Sequence, residues 1–203
     1  MVILIATALF SWDAMVTGKS YAPAMILIGF IGGLVCVAIL MFKKEWSSAL
    51  APTYAICEGL ALGALSSLYG QLSFYAIALT FGVLIIMYTL YATRIIKVTQ
   101  KFRMIIASAT GGVFVLYLLT WVLSFFNIQI PFIHDSGMIG IGFSVLVVGL
   151  AAFNLVLDFQ LIEEGAAMGA PKYLEWYASF GLLVTLVWLY IEILRLLSKL
   201  SRK

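Results

Sequence analysis

Three carboxylic acids stand inside long apolar stretches of this sequence: Glu58, Asp158 and Glu192. Carboxylates bind cations and exchange protons, yet an ionisable side chain at membrane depth costs about 2.5–3.5 kcal/mol on insertion scales. Such side chains nearly always face the interior of a helix bundle or a watery cavity. The chemistry that these positions suggest is therefore the handling of cations or protons inside a membrane.

Glu58 lies near the middle of an apolar stretch that runs from about Ser48 to Tyr69. One interpretation is a proton or cation site in the interior of a helix bundle. The other is a neutral glutamic acid that is hydrogen-bonded and structural, since desolvation disfavours a buried charge. The sequence leaves both interpretations open.

Asp158 follows Asn154 by one helical turn, so the two side chains share a helix face. We interpret Asp158 as an ion-coordinating or pH-sensing carboxylate at a cytoplasmic mouth. The competing interpretation is an interfacial acid that pairs with a loop lysine. Lys43 and Lys44 could supply that partner, although a basic pair between apolar segments is first of all a topology signal.

Glu192 precedes Arg195 by three residues, which favours a structural ion pair on one helix face. Thr185 lies seven residues before Glu192 on the same face, roughly 10 Å away along the helix axis. The last apolar segment is therefore predicted to carry a polar face, as suits a central helix surrounded by others.

A short predicted loop carries three further acids, Glu163, Glu164 and Glu175. A solvated acidic loop is the default interpretation. A rim that weakly attracts calcium is the alternative, because hard cations prefer clustered oxygen atoms, although the spacing does not match an EF-hand.

Composition indicates that lipid is the solvent of this chain. Of its 203 residues 64% are hydrophobic and 10% are charged, whereas soluble domains are roughly 45–50% apolar and about 25% charged. The net charge of +3 comes from short basic clusters between apolar runs, which follows the positive-inside rule and argues against nucleic acid as a partner. Two cysteines within predicted spans and one histidine, His134, leave no zinc-type cluster, so no cofactor is expected.

No catalytic motif is present in the sequence. It lacks Gly-x-Gly-Asp and His-Glu-x-x-His, and a nucleophilic serine would have no buried base. We therefore expect a protein that is not an enzyme.

Seven apolar segments are predicted to be helices of a single transmembrane domain that covers residues 1–203, because helices satisfy their backbone hydrogen bonds within lipid. The first is too short for the roughly 20 residues that a span needs. A polar loop with His134 and Pro131 precedes the sixth, and a basic tail follows the seventh. The segments lie at about residues 1–12, 21–42, 48–69, 72–91, 104–126, 137–162 and 176–197. The pairs Gly29/Gly33 and Gly59/Gly63 predict close helix packing.

Four segments resemble the transmembrane Bax inhibitor motif family: Asn154–Ile162 (NLVLDFQLI), Trp188–Leu197 (WLYIEILRLL), Gly169–Gly181 (GAPKYLEWYASFG) and Ala55–Gly63 (AICEGLALG). The last two are most similar to the bacterial branch, which implies a multi-pass protein of the bacterial inner membrane. The resemblance also implies an all-α fold of seven helices with the last one central.

Some members of that family are pH-sensitive calcium leak channels, in which two aspartates on helices six and seven share a proton and a basic residue ending helix two can latch them. By this resemblance Asp158 matches the first aspartate, Thr185 takes the place of the second, and Lys43 matches the latch region. The acid that members carry in helix two falls on Gly32 or Gly33. The function implied is a pH-sensitive cation leak, with calcium as the transported ion. The alternative is a regulatory membrane protein that restrains a membrane protease without forming a pore.

Overall fold

The computed structural model describes residues 1–20, 22–124, 126 and 137–201. Within them the chain forms α-helices and one 3-10 turn, with no strand, so the predicted all-α class is confirmed. The predicted polar loop with Pro131 and His134 lies outside the described residues. The helices are α1 (Val2–Val16), α2 (Ala22–Phe42), α3 (Ser47–Tyr69), α4 (Gln71–Ala92), α5 (Gln100–Ser124), α6 (Met138–Ala167) and α7 (Lys172–Ser201), with the 3-10 turn at Lys44–Trp46.

Six of these helices, α2 to α7, are long and apolar enough to cross a membrane, and α1 is shorter. Their outward-facing side chains are largely apolar, with Phe42, Leu68, Ile85 and Trp121 among the most exposed. Exposed apolar surface of this extent is typical of lipid-facing helices rather than of a soluble protein. The chain is therefore a multi-pass membrane protein, while the central position of the last helix stays a prediction.

The predicted acidic loop between the sixth and seventh segments is wrong, because both helices extend into it. Helix α6 continues through Glu163 and Glu164 to Ala167, and α7 already includes Glu175. Gly165 is accommodated inside α6, and the helix ends at Ala167, two residues before Gly169, which has φ +61°. The amide of Gly169 donates to Ala166 and that of Ala170 donates to Gly165, the hydrogen bonds of a Schellman cap.

Three other boundaries differ from the prediction. Helix α1 extends to Val16, beyond the predicted end near residue 12. Helix α5 begins at Gln100, because the Thr99 hydroxyl accepts a hydrogen bond from the Phe102 amide at 3.1 Å and caps the first turn. Helix α7 continues to Ser201, so the predicted basic tail is helical as far as the structure describes it, and Lys199 belongs to the helix.

The chain divides into two compact units, and the division falls inside α4, α6 and α7. The first unit comprises residues 1–74 and 161–184, and the second comprises 75–160 and 185–203.

In the first unit α1 and α2 both pack against α3 at glycines. A Cβ at Gly29 would meet the backbone of Cys57, and a Cβ at Gly63 would meet the backbone of Ala8. A Cβ at Gly59 would meet the Thr7 hydroxyl. The packing role predicted for the glycine pairs is confirmed, since small residues let helix backbones approach closely in lipid.

Hydroxyl groups add to these contacts in the first unit. The Ser11 hydroxyl, fully buried on α1, donates to the Leu60 carbonyl of α3 at 2.7 Å. Ser47 donates to the Tyr173 carbonyl of α7 at 2.6 Å. The apolar core of this unit includes Cys36, Leu40, Tyr54, Phe180 and Leu183.

The core of the second unit lies between α5 and α6. Ile106 and Val113 of α5 are buried with Val147 and Leu150 of α6. Aromatic rings extend the contact, with Tyr117 edge-on to Phe143 and Phe102 edge-on to Phe153. This packing fixes the faces of α5 and α6 that carry the polar side chains of the site.

Candidate functional site

Asp158 of α6 and Thr185 of α7 are in contact within the second unit. The Thr185 hydroxyl hydrogen-bonds to the Asp158 carboxylate. The other carboxylate oxygen, Oδ2, is buried and has no hydrogen-bond partner among the described residues. Asp158 is therefore held on one side and has unused capacity to bind a proton or a cation on the other.

Asn154 ties α6 to α5 one turn before Asp158. Its Nδ2 donates to the Thr110 hydroxyl at 2.8 Å and to the Leu150 carbonyl of its own helix at 2.9 Å. Both donor positions of the amide are thus used, so Asn154 holds the helix that carries Asp158. Thr110 was not predicted as a partner, because nothing in the sequence indicates which face of α5 meets α6.

Glu192 is almost fully buried, with 1% of its surface exposed, and it forms the ion pair predicted from its spacing to Arg195. Arg195 Nη1 lies 3.1 Å from Glu192 Oε1. The Tyr117 hydroxyl of α5 donates to the same oxygen at 2.9 Å, and Arg195 Nη1 also donates to that hydroxyl at 2.8 Å. The Arg195 guanidinium stacks over the Tyr117 ring, 5.0 Å from its centroid. These contacts link α5 to α7 around Glu192 and agree with the structural interpretation of this residue.

Lys199 is a buried charge, whereas the sequence predicts it to lie in the basic tail. Its exposed fraction is 6%, and its Nζ donates to the Gly140 carbonyl at 3.0 Å and the Ser144 hydroxyl at 2.9 Å, both on α6. The signal in the sequence was its spacing, because Lys199 follows Glu192 by seven residues as Glu192 follows Thr185. Seven residues are close to two helical turns, so these three residues lie on nearly one face. We call Thr185, Glu192 and Lys199 the α7 seam.

Glu58 belongs to the first unit, where α3 packs against α2. The Tyr54 hydroxyl, one turn earlier on α3, hydrogen-bonds to the Glu58 carboxylate. A Cβ at Gly33 of α2 would lie 2.9 Å from Glu58 Oε2, so the carboxylate occupies the space that this glycine leaves. Tyr54 was not predicted, although its spacing of four residues from Glu58 could have indicated it.

The remaining predicted residues lie at helix ends in the first unit. Lys43 and Lys44 are exposed, and their ammonium groups lie over the rings of Trp46 and Tyr177, at 4.7 and 5.0 Å from the centroids. Such cation–π contacts, with a Trp near a helix end, are typical of a membrane interface. Their proposed pairing with Asp158 of the second unit stays a prediction.

The structure thus brings together some of the predicted site residues and separates others by unit. Asp158, Asn154, Thr185 and Glu192 belong to the second unit, and Glu58 belongs to the first. In the described ranges no three His, Cys, Asp or Glu side chains are grouped as a metal site would need.

The chain matches a known protein family. The sequence profile of the family described as "Bax inhibitor 1 like" matches residues 1–202. No curated protein and no solved structure matches the chain. The profile covers nearly the whole length, including the segments around Glu58, Asp158 and the α7 seam, and the chain therefore belongs to the Bax inhibitor 1 like family.

Proposed function

We propose that this protein is a pH-sensitive cation leak in a bacterial inner membrane, with calcium as the principal ion and Asp158 as the group that controls passage. The observation that carries the proposal is the Asp158 carboxylate, which has one oxygen bonded to Thr185 and the other buried without a hydrogen-bond partner in the described part of the chain. Membership of the Bax inhibitor 1 like family supports the same function. In this proposal the protein is a passive pathway and not an enzyme.

The proposed mechanism is competition between a proton and a cation for Asp158 Oδ2. An uncompensated carboxylate at membrane depth costs several kcal/mol, so it binds whichever positive partner is available. When the carboxylate is deprotonated, it offers a hard oxygen ligand of the type that Ca²⁺ prefers. When a proton occupies the oxygen, that ligand is lost, and cation flux falls as the pH falls.

In this mechanism Thr185 acts differently from a second carboxylate. Two close acids share protons and titrate as a coupled pair, whereas a threonine hydroxyl adds no charge and donates one hydrogen bond. Thr185 therefore orients Asp158 without competing for the proton. We expect the flux to follow a single titration step.

The test is calcium flux into proteoliposomes that contain an indicator dye, measured across a pH series. Asp158→Asn keeps the shape of the side chain and an acceptor for Thr185 but removes the charge, so we expect both the leak and its pH dependence to be lost. Glu45→Gln is the matched control, because Glu45 is an exposed acid in the 3-10 turn. An Asp158→Asn protein that leaks like the wild type at every pH would contradict the proposal.

Glu58→Gln is measured separately, because Glu58 belongs to the first unit. The carboxylate is already hydrogen-bonded to Tyr54, and the Gln variant preserves an acceptor for that bond. Loss of flux in this variant would add Glu58 to the pathway. Unchanged flux would assign Glu58 to the packing of α3 against α2.

A further inference from the structure

The Lys199 ammonium occupies a site built from oxygen atoms of another helix. Two acceptors of its hydrogen bonds among the described residues are the main-chain carbonyl of Gly140 and the hydroxyl of Ser144, one turn apart on α6. Ser144 and Lys199 are both buried, with exposed fractions of 1% and 6%. A lysine rarely gives up its hydration to this extent, because desolvating a charge costs several kcal/mol unless ligands replace the water.

The ligands of Lys199 are of the kind that bind alkali cations. Main-chain carbonyl and hydroxyl oxygens replace the hydration shell of a cation in selective pores. An ammonium group that donates into such oxygens carries the same single positive charge. Lys199 therefore stands where a partly dehydrated monovalent cation would be held by Gly140 and Ser144.

The Lys199 contact lies far from Asp158 along both α6 and α7. Helical rise places Thr185 and Lys199 about 21 Å apart along α7, and Ser144 and Asp158 the same distance apart along α6. The α7 seam thus runs from the Asp158 contact, past the Glu192–Arg195 pair, to the Lys199 site. Asp158 and Lys199 mark its two ends.

We infer that the Gly140 carbonyl and the Ser144 hydroxyl form a cation-binding site, and that Lys199 fills it as a tethered cation that closes this end of the pathway. The inference rests on the proposed function, because closure matters only if cations reach the seam. The charge at Asp158 attracts cations, and the ammonium at the other end excludes them. Leak then requires the Lys199 side chain to leave its oxygen ligands.

The first test compares cation flux in proteoliposomes for three lysine variants. Lys199→Met removes the charge and keeps a long apolar side chain, Lys199→Arg keeps the charge, and Lys101→Met is the control at an exposed lysine of α5. We expect flux through Lys199→Met to rise at least about tenfold, which corresponds to a barrier lowered by about 1.4 kcal/mol. Lys199→Arg and Lys101→Met should match the wild type. A folded Lys199→Met protein with wild-type flux would overturn the inference.

The second test measures the site without any flux. Thermal unfolding of purified Lys199→Ala is recorded in KCl, in methylammonium chloride and in choline chloride at equal ionic strength. We expect the two small cations to raise the Tm of Lys199→Ala relative to choline, and to leave the wild type unchanged. The double variant Lys199→Ala/Ser144→Ala should lose this stabilisation. Equal Tm values in all three salts would overturn the site.

The two tests separate failure of the site from failure of the proposed function. Stabilisation of Lys199→Ala by small cations, with no leak in any variant, would support the cation site and refute the leak. A wild-type leak abolished by Asp158→Asn, with neither effect at Lys199, would support the leak and refute the site. Should Lys199→Met not fold, Ser144→Ala keeps the lysine and removes one ligand, and an increased leak through it is the expected result. An unchanged leak through that variant would overturn the closure.

Discussion

The two units join their helices by different means. In the first unit α1 and α2 approach the backbone of α3 at Gly59, Gly63 and Gly29, and buried hydroxyls such as Ser11 donate to main-chain carbonyls. In the second unit the hydrogen bonds between helices involve ionisable and amide side chains, of which Tyr117 to Glu192 is one. Gly111 and Gly112 of α5 have open space where a Cβ would lie.

This difference indicates which unit is able to change its state. A backbone contact at a glycine has a single arrangement, because neither partner has a rotamer or a proton to exchange. Hydrogen bonds between ionisable side chains depend on charge and can be remade with other partners, including water and ions. We therefore expect the first unit to behave as a scaffold and the second to contain the moving parts.

The largest expected effect comes from obstructing a backbone contact in the first unit. Gly63→Leu should destabilise the protein by more than about 3 kcal/mol, because overpacking costs about 1–3 kcal/mol and more where nothing can shift. The obstructing atoms belong to the Ala8 backbone. The measurement is the yield of monodisperse protein together with its Tm in detergent.

The control for that variant is Gly111→Leu, at a glycine with nothing within 4 Å of its Cβ position. We expect it to fold normally. If Gly63→Leu and Gly111→Leu had equal Tm values, the close packing of α1 on α3 would not be the contact that holds the first unit.

An intermediate effect is expected from breaking the ion pair in the second unit. Glu192→Leu removes the acceptor of Tyr117 and the partner of Arg195, and we expect a loss of about 2–3 kcal/mol. Fully buried pairs lose about 3–5 kcal/mol when one partner is removed, and the Arg195 side chain is 37% exposed, which reduces the loss. Chemical unfolding in detergent measures it.

Asp13→Asn provides the comparison, because Asp13 pairs with Lys19 at 3.5 Å in a pair whose side chains are 65% and 40% exposed. Exposed pairs contribute at most about 1 kcal/mol. If Glu192→Leu were as stable as Asp13→Asn, burial would add nothing to the stabilisation that the Glu192 contacts provide.

The smallest effect is expected from removing a single hydrogen bond between helices. Thr110→Val removes the side-chain acceptor of Asn154, and we expect a loss of about 0.6 kcal/mol, the mean for hydrogen bonds between membrane helices. Thr53→Val is the control, since the Thr53 hydroxyl is exposed and donates to the Ala49 carbonyl of its own helix. A larger loss for Thr53→Val than for Thr110→Val would mean that bonds between helices do not distinguish the second unit.

Much of the fold was predictable from the sequence, because in lipid a long apolar stretch is nearly sufficient to locate a spanning helix. The limits of α2, α3 and α4 were predicted to within a residue or two, and the shortness of α1 was predicted as well. Errors occurred where helices leave the apolar layer, since hydropathy no longer marks them there. The cap at Thr99 and the Schellman turn at Gly169 decided those ends, and both depend on local hydrogen bonds.

The acidic residues of the site were predictable from the sequence, but their hydrogen-bond partners on other helices were not. Glu192 with Arg195 followed from spacing along one helix, and so did the shared face of Asn154 and Asp158. Thr110, Tyr117 and Ser144 belong to neighbouring helices, and a single sequence does not fix which faces of two helices meet. Lys199 was misplaced because a lysine near the end of an apolar stretch is usually an interfacial residue, whereas here it is buried and donates to a carbonyl and a hydroxyl of α6.

The length of α6 and α7 makes bilayer thickness a physical variable for this protein. Each helix has 30 residues and is about 45 Å long, whereas the hydrocarbon layer is about 30 Å thick. The excess must be absorbed by tilting or by projection into the headgroup region. Three acidic residues lie in the helical turns next to the short connection between α6 and α7: Glu163, Glu164 and Glu175. Longer or shorter acyl chains would therefore raise or lower this acidic end relative to the phosphates, with no ligand involved.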